Sequence, residues 1–358
     1  FKEQLEETYG VMVYQEDVMK IANAYGGLDM ADADVLRRMM SGKYRSKDHL
    51  IEIEDKFFSN CKAKGYDEKI SREIWRQMES FAGYSFNKAH SASFAVESYQ
   101  SLFLKTYYPL EFMVAVLNNY GGFYNRKVYV NEARISGGNI CLPCVNQSVF
   151  NTSIRGKDIY LGFDCLLNLE GKLAHRLIEE REANGIYTSL ENFVKRTQTG
   201  IEQVVILIRV GALRFTGTGK KQLLWAAHLM MSKHKPVAAG IALFETESRK
   251  PILPPLEEDI LEDYYDEMEL IGFCVTGTLF DLAKSDYRGD MPARELYLHE
   301  GKIIRIVGDF VCEKFVKTKR GDLMKFGTFL DAEGRFFDTV HFPQTLVKYP
   351  LLGAGIYL

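Results

Sequence analysis

Gly83-Tyr84-Ser85-Phe86-Asn87-Lys88-Ala89-His90-Ser91-Ala92-Ser93-Phe94 is the stretch on which the reading of this chain turns. A glycine that permits a tight turn precedes Asn, Lys, His and Ser, and a proline-free run follows, so the spacing predicts a helix over residues 91–107. Lysine, histidine and hydroxyl donors at a helix start add to its positive pole, which suits a polyphosphate. Arg37 and Arg38 supply a second basic site upstream, with guanidinium geometry matched to phosphate oxygens. An ordinary surface loop leading into a polar helix start is the alternative, and the residues alone leave both open.

Outward from that stretch the first third reads as helical. Residues 14–22 and 70–81 carry apolar side chains at three- and four-residue spacing, and residues 35–40 continue the pattern. Tyr108-Pro109 ends one helix and lets Pro109 open the next, over residues 110–117. Asn118-Asn119-Tyr120-Gly121-Gly122 is the clearest break, and a domain boundary is placed there. Further helices are predicted over residues 172–183, 202–210 and 221–234, around glycine turns. Residues 245–265, acidic with Pro251, Pro254 and Pro255, read as an exposed, semi-rigid connector. From Lys302 the period changes to two, with Ile303, Ile306 and Phe310 in a strand and hairpins at residues 319–322 and 331–334. The last residues, Ile356-Tyr357-Leu358, read as a strand, so a barrel closed by further strands is expected to be truncated here.

With 358 residues, 46% of them apolar and 26% charged, the chain is globular and multidomain, which excludes a disordered chain, a collagen-like fibre and a small disulfide scaffold. Six cysteines at 61, 141, 144, 165, 274 and 312 follow no repeating spacing, so a reducing, cytoplasmic setting is expected. No apolar run approaches a membrane span, so no membrane partner is expected. The chain begins with Phe1 and no signal-like segment follows, which suggests a piece of a longer protein.

A net charge of -3 conceals segregation: residues 120–235 carry 16 Lys and Arg against 9 Asp and Glu, whereas residues 236–295 carry 5 against 14. A basic block beside an acidic one fits a segment that meets a polyanion, with the acidic segment kept off it. Differently charged solvated faces would give the same count.

Three further motifs have ordinary explanations. Asp32 and Asp34 resemble a Mg²⁺ pair, but they precede a helix-like run and are read as capping acids. Cys141-Leu142-Pro143-Cys144 has no second cysteine pair or histidine pair downstream, and is read as free thiols. Gly217-Thr218-Gly219-Lys220 resembles a phosphate loop, but Gln222 follows Lys221 where Ser or Thr would hold a metal, so nucleotide hydrolysis is disfavoured; a glycine turn opening a basic helix still suits a single phosphate.

Residues 9–19, 33–40, 81–91, 99–100, 104–105 and 108–112 together resemble, in order, the fingers region of the bacterial C-family DNA polymerases, the alpha subunits of DNA polymerase III. Leu142-Pro143 with Val145-Asn146, Gly171 with residues 178–181, and Gly211-Ala212-Leu213 resemble that family's helix-hairpin-helix region, and Gly272 with Thr276-Gly277 the approach to its OB-fold.

The resemblance implies a multidomain, mainly α protein with a C-terminal β part: helical fingers over 1–119, a tandem helix-hairpin-helix duplex-binding region over 120–235, an acidic linker over 236–295 and a truncated OB-fold over 296–358. It implies a DNA-directed DNA polymerase, a nucleotidyltransferase that extends primers with deoxynucleoside triphosphates, with Mg²⁺ held on palm aspartates upstream, so this fragment by itself is expected to be inactive. Arg37, Arg38, Phe86, Asn87, Lys88 and His90 become the nucleotide-binding residues. Gly171, Lys172, Gly217, Gly219, Lys220 and Lys221 become duplex contacts, and the turn at Gly171 keeps one glycine where a stronger motif has two. Lys317, Lys319 and Arg320, beside Phe315 and Phe326, become the single-strand contacts. Leu243 and Phe244 keep the apolar end of a sliding-clamp peptide. Primer–template DNA, single-stranded template, the clamp and other replisome subunits are the implied partners. A non-enzymatic DNA-binding module of linked helix-hairpin-helix and OB units is the rival, but it leaves the first 118 residues without a role. A DNA ligase is excluded because no Lys-x-Asp-Gly nucleophile motif is present.

Overall fold

The computed structural model describes residues 2–40, 47–80, 86–232 and 256–358. It divides into two compact units, Phe1–Leu104 and Lys105–Leu358.

In the first unit, helices α1 (Gln15–Ala24), α2 (Met30–Met40), α3 (Lys47–Ala63) and α4 (Glu68–Ser80) surround one core. Each contributes a stripe at helical spacing: Val18, Ile21 and Ala22; Ala33 and Leu36; Ile53, Phe57 and Cys61; Ile74, Trp75 and Met78. Buried Asp17 fixes the start of α1 by accepting the Val13 and Tyr14 N–H groups at 3.0 and 2.9 Å. Gly26 lets α3 close on the α1–α2 turn, since a Cβ there would lie 2.1 Å from the Phe57 ring. Helix α5 (Lys88–Tyr107) starts three residues earlier than its spacing predicts, crosses the division between the units and has no buried residue.

The second unit opens with α6 (Pro109–Asn118) and α7 (Arg126–Ile135), which pack together against a small sheet of β1 (Asn139–Cys141), β2 (Ser153–Arg155) and β3 (Asp158–Tyr160), in the order β1-β3-β2. The break at residues 118–122 is therefore a turn inside this unit, because Met113 and Val114 of α6 share a cluster with Ala133 and Ile159. Its main core lies among α8 (Gly171–Asn184), α9 (Leu190–Thr197), α10 (Ile201–Arg209), α11 (Lys220–Ser232) and α12 (Ile260–Leu270), around Leu177, Tyr187, Phe193, Val204, Leu207 and Leu270.

Helix α12 corrects the connector reading over residues 260–265, while residues 245–255 lie outside the described residues. Leu270, Ile271, Phe273 and Val275 join the core, and Asp263 and Asp266 of α12 pair with Arg209 of α10 and Lys220 of α11. The sequence pattern did not single out the 17-residue α3, nor α7 and α9; Ser189 caps α9 by accepting the Asn192 N–H at 3.0 Å.

The C-terminal part is an OB-like half-barrel, so the mainly α chain with a C-terminal β part holds as expected. Strands β4 (Gly308–Lys317), β5 (Leu323–Leu330), β6 (Phe336–His341) and β7 (Ile356–Tyr357) run antiparallel in the order β6-β5-β4-β7, followed in sequence between β6 and β7 by α13 (Pro343–Lys348). Both predicted hairpins form. The strand begins at Gly308 instead of Lys302: Ile303 is exposed and Ile306 makes a single bridge to Gly289. A register shift between Phe310 and Cys312 bends β4, and Phe329, Phe337 and Leu351 form the core beneath the sheet.

Candidate functional site

The basic residues singled out in the first unit are joined through the first turn of α1. Gln15 donates its backbone N–H to the Phe86 carbonyl at 2.8 Å, and its side-chain oxygen accepts from Arg37 Nη1 at 3.3 Å. Tyr14 and Phe86 form a parallel bridge beside this contact. Glu16 accepts the Asn87 side-chain amide on Oε1 at 2.6 Å and the Lys88 backbone N–H on Oε2 at 2.9 Å. Asn87 in turn caps α5, its Oδ1 accepting the His90 N–H at 2.8 Å. Phe86 is exposed, and the His90 ring lies 4.2 Å from that of Phe94.

Carboxylates hold all three cations. Asp34 accepts from Arg37 Nε at 2.9 Å and from Arg38 Nε at 2.7 Å, and these two guanidinium groups, Arg37 first, hold its carboxyl below the usual range. Lys88 pairs with Glu7, which raises the ammonium pKa and lowers that of the carboxyl. The helix start is open to solvent rather than sealed in apolar packing. Two of its backbone donors, those of Lys88 and His90, are already used within the protein, so an anion there meets side chains before helix amides. The glycine turn itself, residues 83–85, lies outside the described residues.

Asp32 and Asp34 do not fit a metal pair. Lys56 takes Asp32, and both oxygens of Asp34 face guanidinium groups. Among the described residues no group of three His, Cys, Asp or Glu side chains could hold a metal ion. Cys141 and Cys144 are unbonded thiols.

In the second unit Gly171 and Lys172 open α8 and are exposed. Asn168 takes the left-handed conformation, with φ of 65°, where the turn lacks a second glycine; asparagine tolerates that region better than other side chains. Gln203 clips the turn, accepting the Glu170 N–H at 2.9 Å and donating to the Asn168 carbonyl at 3.1 Å.

The turn at Gly217 to Lys221 is less available than its sequence suggests. Lys220 Nζ lies between Asp263 and Asp266, 2.7 Å from the latter, and Lys221 Nζ meets the Glu257 carbonyl at 2.7 Å and Glu262 at 3.0 Å. A Cβ on Gly219 would lie 2.3 Å from a carboxylate oxygen of Glu258, while Gly217 supplies the left-handed turn, with φ of 66°. Arg209 reaches Asp266 and Glu269 at 2.7 and 2.6 Å.

Lys317, Lys319 and Arg320 are exposed around the β4–β5 hairpin, and among the described residues none has an ion pair. The register corrects the expected aromatic platform. Phe315 pairs with Lys325 and Lys314 with Phe326, so the two phenylalanines lie on opposite faces of the sheet. Lys325 Nζ stands 4.6 Å from the centre of the Phe315 ring and is held by Glu313 at 3.0 Å. Leu243 and Phe244 lie outside the described residues.

The residues that sequence reasoning missed are Glu7, Gln15 and Glu16; Asp34, read there as a capping acid, instead lies inside α2 and holds Arg37 and Arg38. Gln15 and Glu16 stood inside the resembling stretch but carried no pattern of their own; their partners lie 22 and about 70 positions away.

Residues 1–65 match the family described as the bacterial DNA polymerase III alpha subunit finger domain, and residues 137–223 match the helix-hairpin-helix motif. The DNA polymerase III subunit alpha of Borreliella burgdorferi is 31% identical over 97% of this chain and 32% of its own length. That of Thermus aquaticus is 33% identical over 76% of this chain and 23% of its own length. An error-prone DNA polymerase of Mycobacterium tuberculosis is 32% identical over 85% of this chain and 28% of its own length. The chain thus spans about a third or less of the relatives it matches, and at the level of family it is related to the bacterial DNA polymerase III alpha subunits.

Proposed function

On that family-level relationship, we propose that this chain supplies the incoming-nucleotide and DNA-binding parts of a bacterial replicative DNA polymerase, which extends a primer on a DNA template. Arg37, Arg38 and Lys88 bind the triphosphate of the incoming deoxynucleotide, while Phe86, Asn87 and His90 shape the surface beside it. The observation that carries this reading is the Gln15 contact, which ties Arg37 to the segment just before Lys88. A triphosphate has the charge to exchange with Asp34 and Glu7 for the three cations.

Gly171 and Lys172 grip duplex phosphates at the exposed α8 turn, contacts that position DNA without reading bases. Lys317, Lys319 and Arg320 bind the single-stranded template, and Leu243 and Phe244 contact the sliding clamp. The chemistry of in-line attack by the primer hydroxyl needs Mg²⁺ on carboxylates, and Asp32 and Asp34 are committed to cations instead. On this reading the catalytic acids belong to the palm domain that the family resemblance implies, and this chain alone incorporates no nucleotide.

Anisotropy titration of a labelled primer–template with this chain tests the proposal. Weak binding that falls steeply with salt is expected, with no primer extension when deoxynucleotides and Mg²⁺ are added. Salt-independent affinity contradicts the DNA contacts, and measurable extension contradicts the assignment of the catalytic acids elsewhere.

A further inference from the structure

We infer that Gln15 and Glu16 are positioning residues, which rests on the nucleotide reading above: consecutive on α1, they hold Arg37 of α2 together with Lys88 of α5 and its cap Asn87 in one cationic group. Neither is offered as a contact to the triphosphate.

Their own placement is fixed. Asp17 anchors the first turn of α1 through the Val13 and Tyr14 N–H groups, and Val18, Ile21 and Ala22 seat the helix in the core. Gln15 and Glu16, both half-buried, are left to reach outward in different directions. Gln15 joins Phe86 through its backbone and Arg37 through its side chain, so the arginine is set relative to the residue two before Lys88. Glu16 uses one oxygen on the Asn87 amide and the other on the Lys88 N–H. Its carboxylate lies in the first turn of α1 and against the first N–H of α5, so it meets the positive poles of two helix starts in one place.

The chemistry separates the two roles. Glutamine at position 15 adds no charge to compete with a phosphate, yet orients a guanidinium group whose fork must present its remaining donors outward. A glutamate at 16 would repel a phosphate if exposed; with both oxygens occupied by internal donors it shapes the α5 start instead.

The test is a double-mutant cycle read as affinity for dATP with Mg²⁺, measured by calorimetry on this chain. Arg37→Ala and Lys88→Ala are each expected to weaken binding about tenfold. Gln15→Ala is expected to weaken it severalfold alone and to add nothing in the Arg37→Ala background, because it acts through that arginine. Glu16→Ala is expected to weaken binding and to speed hydrogen exchange at the Lys88 amide, with Glu16→Gln restoring part of both through its remaining acceptor. If Arg37→Ala and Lys88→Ala weaken binding but Gln15→Ala is silent or additive, the positioning inference fails and the nucleotide reading stands. If Arg37→Ala and Lys88→Ala are silent, the nucleotide reading fails and takes this inference with it; the Lys88 exchange rate in Glu16→Ala still reports whether the structural link exists.

Discussion

Lys220 of α11 and Asp266 of α12 meet at 2.7 Å across a gap of 46 residues, with Asp263 on the other side of the same ammonium. The lysine is 15% exposed, and its partners raise its pKa against the burial that would lower it. A side chain held this way stabilises the helical core and is poorly placed to meet DNA. Lys220→Ala is therefore expected to cost roughly 1–3 kcal/mol in thermal or chemical unfolding, with DNA affinity at fixed salt unchanged. Lys319→Ala and Arg320→Ala should do the opposite, leaving stability within about 0.5 kcal/mol and each lowering the salt slope of DNA binding by about one.

Glu267 is 2% exposed and gathers three donors: the Val275 N–H at 2.5 Å, the Thr276 N–H at 2.9 Å and the Thr276 hydroxyl at 2.6 Å. Arg134 donates to the Val275 carbonyl at 2.6 Å, so the acid and the arginine brace one turn from two sides. Burial lowers the Arg134 pKa, and the nearby Glu267 charge opposes that. Glu267→Gln keeps the shape but loses an acceptor and the charge, for an expected loss of about 2–4 kcal/mol. In a unit of this size that is a fall of roughly 5–15 °C in melting temperature, measurable by calorimetry.

Burial, reinforced by Asp164, pushes the Cys165 thiol up to about 12 from an ordinary 9.0. Between those values the unfolded chain loses this proton and the folded chain keeps it. The folded state then binds more protons, so this contribution is complete below about pH 9 and is lost as pH rises toward 12. Denaturant unfolding of the wild type and Cys165→Ala over a range of alkaline pH checks the sign. The stability advantage of the wild type should shrink as pH rises, while a constant gap would show that the thiol ionises equally in both states.

Much of the helical frame was legible because its signal is local. Val18, Ile21 and Ala22 mark the buried face of α1, and Pro109 opens α6 from its first position. The β4–β5 hairpin was readable from Lys319-Arg320-Gly321-Asp322, where Gly321 has φ of 89°. What failed depended on partners distant in sequence. The acids of α12 resemble linker charges until Arg209 and Lys220 are seen opposite them. Lys220 itself looked like a phosphate ligand because nothing local reveals Asp263 or Asp266. The platform of Phe315 and Phe326 failed on strand register, which composition does not carry. The candidate site was half visible: its cations stood out as charges beside a glycine turn, whereas Gln15 and Glu16, which join them, are ordinary helix residues until the fold brings Phe86 and Lys88 to α1.

Nucleotide binding requires the Lys88 ammonium to leave Glu7 for a triphosphate. Phosphorus NMR of dATP titrated with this chain reads that exchange at the phosphates themselves. Shifts of the β- and γ-phosphorus signals are expected to saturate with wild-type protein and to be largely lost with Lys88→Ala. Equal shifts for both proteins, or none for the wild type, would contradict that exchange.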